Sequence, residues 1–402
     1  MLIFLNPHVD DFLATPILFK LLGRRPLKKY GFLFESFVQK KQSINILIDQ
    51  YSSSVIPWNF FKILPSWCQK IIVSIETKIW LQLNNNISSK INLLREDQVT
   101  DNDVIFAFSY KTAVAGFEPR INILNRAKST IFHLSHYFIN TSVKSNNLRK
   151  INNLYLSGDS DISENSYFSY FFGWYKRKFL VLPFSINEKF LKKEFPKKVD
   201  ATIIVTGSFH DLSKERPKNF YSDFRSVTSK NSYHYVRSEF SKKKDELSKD
   251  FLILTSSITP KKNNFLLASL SKLIASRQKN YFSIDIVEAY AQSKYAIVGE
   301  EISGFPSIGS FEAMASGTML YGVEECYKGL GLIANTHFVK YDGSFSGCFE
   351  KIYDKQLSKR DKEKIAYTGW KYVIANYNST SMYNRWITTF DKISKTGISL
   401  IK

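Results

Sequence analysis

The feature that most constrains the fold is a series of short apolar runs that alternate with segments of helical spacing, stop once, and then start again. The runs of the N-terminal half are 2–7, 44–50, 103–109 and 129–136, and those of the C-terminal half are 201–207, 250–256, 294–300 and 318–323. Strands that alternate with helices are typical of a parallel sheet covered by helices. The sequence therefore predicts an α/β fold with two such units.

A basic, polar stretch separates the two series. Residues 192–200 read KKEFPKKVD and follow the apolar run 181–191. From 360 to 390 the residues alternate between apolar and polar at helical spacing. We therefore expect an N-terminal domain at 1–185, a C-terminal domain at 195–365 and a terminal helical segment at 366–402. Sheets of this kind bind ligands at the carboxyl ends of their strands, and two that face each other would form a cleft.

Charge and cysteine content limit the class of protein. Lysine and arginine outnumber aspartate and glutamate by 56 to 36, and the net charge of +20 predicts an anionic partner. The three cysteines lack the number and spacing of a disulfide framework or a zinc site, which favours a reducing cytoplasm.

No apolar run approaches the ~18 residues of a membrane-spanning helix, and MLIFLNP lacks the basic residues of a signal peptide. We expect a cytoplasmic protein with peripheral contact to the inner face of the cell membrane.

The most informative motif lies at residues 310–317, which read Ser-Phe-Glu-Ala-Met-Ala-Ser-Gly and predict a short helix that ends at the glycine. The loop before it contains Gly304 and Gly309. Glycines let backbone amides approach a diphosphate closely, and the dipole of a helix that begins near Ser310 favours an anion. Glu312, in the predicted first turn, can accept two hydrogen bonds from a ribose diol. The alternative for Glu312 is a charge that only caps the helix.

The segment 286–343 as a whole resembles the donor-binding core of the GT-B glycosyltransferases, chiefly the retaining enzymes. The likeness covers about the last half of the chain and is weak in the N-terminal half. It implies two Rossmann-like domains that face a central cleft, with a C-terminal helix that crosses back to the N-terminal domain. In the family the glutamate that matches Glu312 binds the ribose of the nucleotide.

The sequence departs from the family at one position. Retaining enzymes usually carry an earlier glutamate, separated from the second by seven residues, and Gly304 stands at that place here. Glu300 and Glu301 lie slightly upstream, and a loop shifted by a few residues would bring Glu301 to the donor. Retention or inversion of the anomeric centre is therefore open.

The family also places basic residues after the first two strands of the C-terminal domain. A metal-independent enzyme needs such cations because the charge of the departing diphosphate must be stabilised electrostatically. The candidates are Arg216 and Lys218, after the run 201–207, and Lys261 and Lys262, after the run 250–256.

Candidates for catalysis lie in the N-terminal half. In retaining relatives a histidine at the place of His136 faces the donor sugar. In inverting relatives the base lies in the loop after the first strand, where His8, Asp10 and Asp11 occur, and it takes a proton from the acceptor hydroxyl. His133 alternates differently from His136, so a core position is the alternative for it.

Two other functions stay open at this point. Residues 8–11, His-Val-Asp-Asp, also resemble the His-Pro-Asp-Asp zinc motif of N-acetylglucosaminyl deacetylases, and His133 and His136 could supply a further ligand. Against this, valine replaces the proline, and Phe12 stands where a glutamate usually follows. The remaining hypothesis is a catalytically inactive module that binds a nucleotide sugar, because the first glutamate of the motif is missing.

Two segments, 58–67 and 170–178, combine aromatic residues with cations. Such chemistry serves docking on anionic membranes and binding of single-stranded nucleic acid, although buried aromatics with surface charge are the favoured interpretation. No nucleic-acid-binding signature is present.

We predict a metal-independent and cofactor-independent hexosyltransferase that uses a nucleoside diphosphate sugar. Its acceptor is a hydroxyl of a glycan or lipid-linked glycan, in bacterial lipopolysaccharide or capsule synthesis.

Overall fold

The protein is described by a computed structural model that covers residues 1–7, 13, 17, 29–48, 55–56, 58–61, 63–84, 91–108, 121–135, 137–198, 200–212, 221–258 and 285–396. The chain divides into two compact units. The first unit consists of Met1–Gly158, Tyr170–Ser185 and Ser379–Lys402, and the second consists of Asp159–Ser169 and Ile186–Asn378.

Among the described residues, seven strands form the sheet of the first unit: β1 (Leu2–Leu5), β2 (Ile44–Leu47), β3 (Ile91–Leu94), β4 (Val104–Phe108), β5 (Ser129–His133), β6 (Leu154–Gly158) and β7 (Leu180–Val181). They pair in parallel in the order β3-β2-β1-β4-β5-β6-β7. Every residue of β4, β5 and β6 is buried, because helices cover both faces of such a sheet. The four runs predicted in this half are confirmed as β1, β2, β4 and β5.

In the described part of the second unit, five strands form the sheet: β8 (Asp200–His210), β9 (Phe251–Ile258), β10 (Ser293–Ile297), β11 (Met319–Val323) and β12 (Val339–Tyr341). They are also parallel, in the order β12-β11-β10-β8-β9. The chain runs from β8 to β9 on one side and then returns to β10 on the other side of β8. The four runs predicted in this half are confirmed, and the predicted α/β class holds for both units.

The α-helices, in chain order, are α1 (Gly31–Gln39), α2 (Trp58–Phe61), α3 (Ser66–Leu83), α4 (Ile121–Arg126), α5 (Thr141–Leu148), α6 (Ser166–Phe172), α7 (Ser222–Thr228), α8 (Tyr235–Lys242), α9 (Lys244–Leu247), α10 (Ile286–Gln292), α11 (Ile308–Ala315), α12 (Phe345–Ile352), α13 (Lys359–Asn376) and α14 (Ser379–Thr396). Short 3-10 helices occur at Glu96–Gln98, Glu188–Phe190 and Glu324–Tyr327. No helix among the described residues has the length and apolarity needed to cross a membrane.

The two terminal helices lie in different units. Helix α13 belongs to the second unit, where it packs on α11 and β11. Helix α14 belongs to the first unit, where it packs on α1 and β4. Its Trp386 and Phe390 rings lie 5.4 and 5.5 Å from the ring of Phe106, and the Trp386 indole donates a hydrogen bond to the Pro183 carbonyl. Aromatic side chains from the end of the chain thus complete the core of the first sheet.

Candidate functional site

The second unit has its topological switch point between β8 and β10, where the strand order reverses. Ligands of doubly wound sheets bind outside the carboxyl ends of the strands at such a point. The loop that joins β10 to α11, residues 298–307, leaves the sheet here. The candidate site is therefore built around this loop.

Arg237, on α8, is a buried cation at this edge of the sheet. Its guanidinium donates hydrogen bonds to the carbonyl of Ser208 at 2.8 Å, to the carbonyl of Val298, and to the hydroxyl of Ser307. Gly207 makes room for it, because a Cβ at that position would lie 2.6 Å from the Arg237 Cζ. The guanidinium thus connects β8, the start of the loop and the residue before α11, and it places a positive charge beside the N-terminus of that helix.

Glu300 is a buried residue of the loop, and its carboxyl group has structural partners. The hydroxyls of Tyr327 and Tyr341 donate to its two carboxylate oxygens at 2.7 and 3.1 Å. Burial raises the pKa of Glu300, and the two tyrosine hydrogen bonds oppose that rise. Through these hydrogen bonds the carboxyl group connects the loop to β12 and to the 3-10 helix after β11. Both of its oxygens therefore accept hydrogen bonds from the second unit.

Glu301 lies in a different polar cluster of the same loop. The hydroxyl of Tyr233 donates to its carboxylate at 2.6 Å, and Nε2 of His234 lies 4.0 Å from the other oxygen. The Gly304 N–H donates to the Glu301 carbonyl at 2.9 Å, which closes a tight turn over 301–304. Glu301 and Gly304, both predicted to bind the donor, therefore belong to one turn.

Gly304 suits that turn for two reasons. Its φ is +94°, which lies in the region that side chains other than glycine rarely adopt, and a Cβ would lie 2.9 Å from Nδ2 of Asn165. Gly309 is inside α11 instead of the loop, and a Cβ there would lie 3.0 Å from Val298. The expectation that both glycines belong to the loop was wrong for Gly309, which permits close packing of the helix on Val298, the first residue after β10.

The helix of the motif begins earlier than predicted. Ser307, with extended backbone angles of −84° and 143°, precedes α11, which starts at Ile308. Ser310 is consequently the third helical residue and is fully buried. Donor binding by its hydroxyl stays a prediction, and complete burial argues against it. Glu312 is the fifth residue and lies beyond the first turn, so the capping alternative for its charge fails.

Glu312 is a half-buried carboxyl group on α11. Burial raises its pKa to about 7, and the Lys189 ammonium offsets part of that rise. Lys189 lies on the 3-10 helix Glu188–Phe190, which packs on α11. None of the described residues forms a hydrogen bond to the Glu312 carboxylate. A desolvated acid of this kind is the type of group that functional sites contain.

The other predicted site residues are His133 and eight residues in other segments of the chain. His8, Asp10, Asp11, His136, Arg216, Lys218, Lys261 and Lys262 lie outside the described residues, and their roles stay predictions. His133 is a buried core residue whose ring nitrogens lie 2.9 Å from the Tyr30 hydroxyl and 3.2 Å from the Ser157 hydroxyl. Within the described part of the chain, no group of three or more His, Cys, Asp or Glu residues is arranged to hold a metal ion.

Sequence reasoning missed the contribution of residues 233–237. The Ile302 N–H donates to the Tyr233 carbonyl at 3.2 Å, and the side chains of Tyr233, His234 and Arg237 all approach the loop. No motif marks this segment. The only available signals were the scarcity of histidine, with six in the chain, and the glycine at 207 near the end of an apolar run.

Comparison with known proteins gives a match only at the level of structure. No family model matches the sequence, and no curated protein matches it. Sucrose-phosphate synthase from Thermosynechococcus elongatus has a TM-score of 0.51 at 8% identity, with 98% of both chains covered. Anabaena HepE in complex with UDP has a TM-score of 0.44 at 12% identity, covering 97% of this chain and 99% of that one.

The pneumococcal O-GlcNAc transferase GtfA, in complex with UDP and GlcNAc, has a TM-score of 0.41 at 12% identity over 74% of this chain. The present chain spans 58% of the length of GtfA. Two parallel α/β units and the full-length match to sucrose-phosphate synthase agree with the architecture that the motif at 310–317 implies. The chain therefore has the fold of the GT-B glycosyltransferases.

Proposed function

We propose that the protein transfers a sugar from a nucleoside diphosphate sugar to a hydroxyl group of an acceptor. The observation that carries the proposal is the position of Glu312. It follows the loop at the carboxyl end of β10, it is half-buried, and burial raises its pKa to about 7. A ribose diol would supply two hydrogen-bond donors to this carboxylate and so compensate for its desolvation.

The electrostatics of the loop support a diphosphate as the second part of the ligand. The Arg237 guanidinium lies beside the N-terminus of α11, where the helix dipole also favours an anion. In the proposed reaction the acceptor hydroxyl oxygen forms a bond to the anomeric carbon and loses its proton to a base on the acceptor side. The bond between the anomeric carbon and the diphosphate oxygen breaks, and the diphosphate leaves with the bonding electrons. Positive charge held in place at this edge stabilises that leaving group. Arg216, Lys218 and Lys261 are proposed to add to it.

Glu301 is proposed to take the place of the first glutamate of the retaining enzymes. Its turn includes Gly304, which occupies that place in the motif. Tyr233 is fully buried, and its hydroxyl donates to the Glu301 carboxylate at 2.6 Å, which supports the proposal by fixing the position of that carboxylate in the turn. For the acceptor side, His8, Asp10, Asp11 and His136 are retained as proposals.

The acceptor is proposed to be a glycan or lipid-linked glycan of a bacterial surface polysaccharide, and the transferred unit a hexose. We further propose that the reaction needs no metal ion and that the protein works at the cytoplasmic face of an anionic membrane. The net charge of +20 supports an anionic partner of this kind.

A thermal-shift screen of uridine, guanosine and adenosine diphosphate sugars tests the proposal. A ligand at about 100 times its Kd stabilises the folded state by about 2.7 kcal/mol, so the donor should raise the melting temperature. Product formation with that donor should persist in a chelator. Absence of stabilisation by every nucleotide would contradict donor binding, and activity that a chelator abolishes and zinc restores would favour the deacetylase.

A further inference from the structure

Helix α3 exposes large apolar side chains along one face. Trp67, Ile71, Ile75 and Ile79 recur every four residues, so they lie on the same side of the helix. Their exposed fractions are 65%, 51%, 52% and 40%. Because burial of such side chains is favourable, an exposed row of them indicates an interaction surface.

The opposite face of α3 anchors the helix in the first unit. Val73, Trp80 and Leu81 are buried, and the Trp80 ring meets the ring of Phe34 edge to face at 6.0 Å. Glu76 also points inward and is buried, and the Thr77 hydroxyl donates to the Val73 carbonyl. Packing of the unit therefore uses these residues and leaves the row at 67, 71, 75 and 79 for another partner.

The charges on the exposed face have one sign. Lys70 and Lys78 are exposed and lie between the apolar side chains, whereas the acidic residue of the helix, Glu76, is on the buried face. An apolar row flanked by lysines complements a surface that has an anionic outer layer over an apolar inner layer. Lysine is depleted in the cores of protein interfaces, which disfavours a protein partner.

We propose that this face of α3 docks on an anionic phospholipid surface, with the helix axis parallel to the membrane plane. The row extends over twelve residue steps, or about 18 Å, which suits a helix that lies in the interface. Trp67 at one end has the amphipathic ring that interfaces favour. The lysines are attracted to the anionic headgroups, and the apolar side chains enter between those headgroups.

This inference rests on the membrane contact proposed above and identifies the surface that makes it. It would hold the protein at the surface that carries a lipid-linked acceptor, without a membrane-spanning helix among the described residues. The test needs no sugar donor, so its failure and a failure of the transferase proposal are separate results.

The experiment measures binding of the full chain to vesicles that contain phosphatidylcholine and phosphatidylserine, by co-sedimentation. Ile75→Glu should weaken binding about thirtyfold, since loss of one half-exposed apolar contact and gain of one repelled charge together amount to about 2 kcal/mol. Val143→Glu is the matched control, because Val143 is 49% exposed on α5 of the same unit. It should change binding by less than about threefold, since a charge away from the surface is screened.

A second readout reports insertion directly. Brominated acyl chains should quench tryptophan fluorescence of the wild type, and the Trp67→Phe variant should lose that part of the quenching. Wild-type protein that stays in solution with anionic vesicles would overturn the proposal, as would equal binding by Ile75→Glu and Val143→Glu. A wild-type dimer that Ile75→Glu converts to monomer, without vesicle binding, would assign the face to a second copy instead.

Discussion

Replacement of Glu312 by glutamine should stabilise the free protein at pH 8. Burial raises the pKa of this carboxyl from 4.5 to about 7, so the folded state holds the proton more tightly than the unfolded chain does. The free energy of unfolding therefore falls as the pH rises from about 4.5 to about 7, and the whole penalty is present above pH 7. At 1.36 kcal/mol per pKa unit the penalty is about 3 kcal/mol, and partial exposure to water reduces it to about 2 kcal/mol.

Glutamine has the same size but no charge to desolvate, so the variant should escape this penalty. The stability difference between variant and wild type should be near zero at pH 4, where the carboxyl is neutral in both states, and should grow to about 2 kcal/mol at pH 8. Urea unfolding at pH 4, 6 and 8 measures it. Glu350→Gln, at an exposed glutamate of α12 in the same unit, is the control and should stay within about 0.5 kcal/mol at each pH.

The same variant should bind nucleotide less tightly. Two ribose hydrogen bonds to a carboxylate contribute on the order of 1.5–3 kcal/mol each, and the amide retains part of this, so the Kd should rise about tenfold or more. Wild-type affinity should also increase from pH 6 to pH 8 as the carboxyl ionises, whereas the variant should lack that dependence. Calorimetric titration with the bare nucleoside diphosphate decides this. A stability difference that does not vary with pH, or unchanged affinity in the folded variant, would refute the role of Glu312.

Two further substitutions test the framework around the loop. Arg237→Met should lower the free energy of unfolding by about 3–6 kcal/mol, because the carbonyls of Ser208 and Val298 each lose a hydrogen bond from a charged donor, which contributes about 1.5–3 kcal/mol. Urea denaturation beside the exposed control Arg360→Met measures this, and equal stability of the two variants would contradict it. Gly304→Ala should lower the free energy of unfolding by about 1–3 kcal/mol and weaken nucleotide binding, because φ is +94° and the new Cβ would meet Asn165. If that variant has the melting temperature and the nucleotide affinity of the wild type, the turn tolerates a side chain.

The sequence by itself determined the class of both units and most of their central strands. Strands such as β4 and β5 are buried throughout, so they must be continuous apolar runs, and such runs are visible without a structure. Strands β3, β7 and β12 were missed because β3 is a partly exposed edge strand and the other two have only two and three residues, so none needs a distinctive pattern. Strand β6 was also missed although it is buried throughout, because its Leu-Tyr-Leu-Ser-Gly sequence has only three apolar residues in a row.

The motif at 310–317 also led to the prediction for Glu312 from local order along the chain, since the strand, loop and helix that position this residue are consecutive. The start of that helix was placed two residues too late because Ser307, not a residue of the motif, precedes it. Arg237 could not be predicted at all. It is 61 residues from Val298, and the hydrogen bond between them exists only because β8 and β10 are neighbours in the sheet.

The end of the chain shows the same limit. Apolar residues at helical spacing predicted helices from 360 to 390, and α13 and α14 confirm them. The structure divides this segment after Asn378, so that α13 packs in the second unit and α14 brings Trp386 to the aromatic core of the first. An amphipathic pattern specifies that a helix has an apolar face to bury, but only the tertiary structure, through the shape of the available surfaces, decides which sheet covers it.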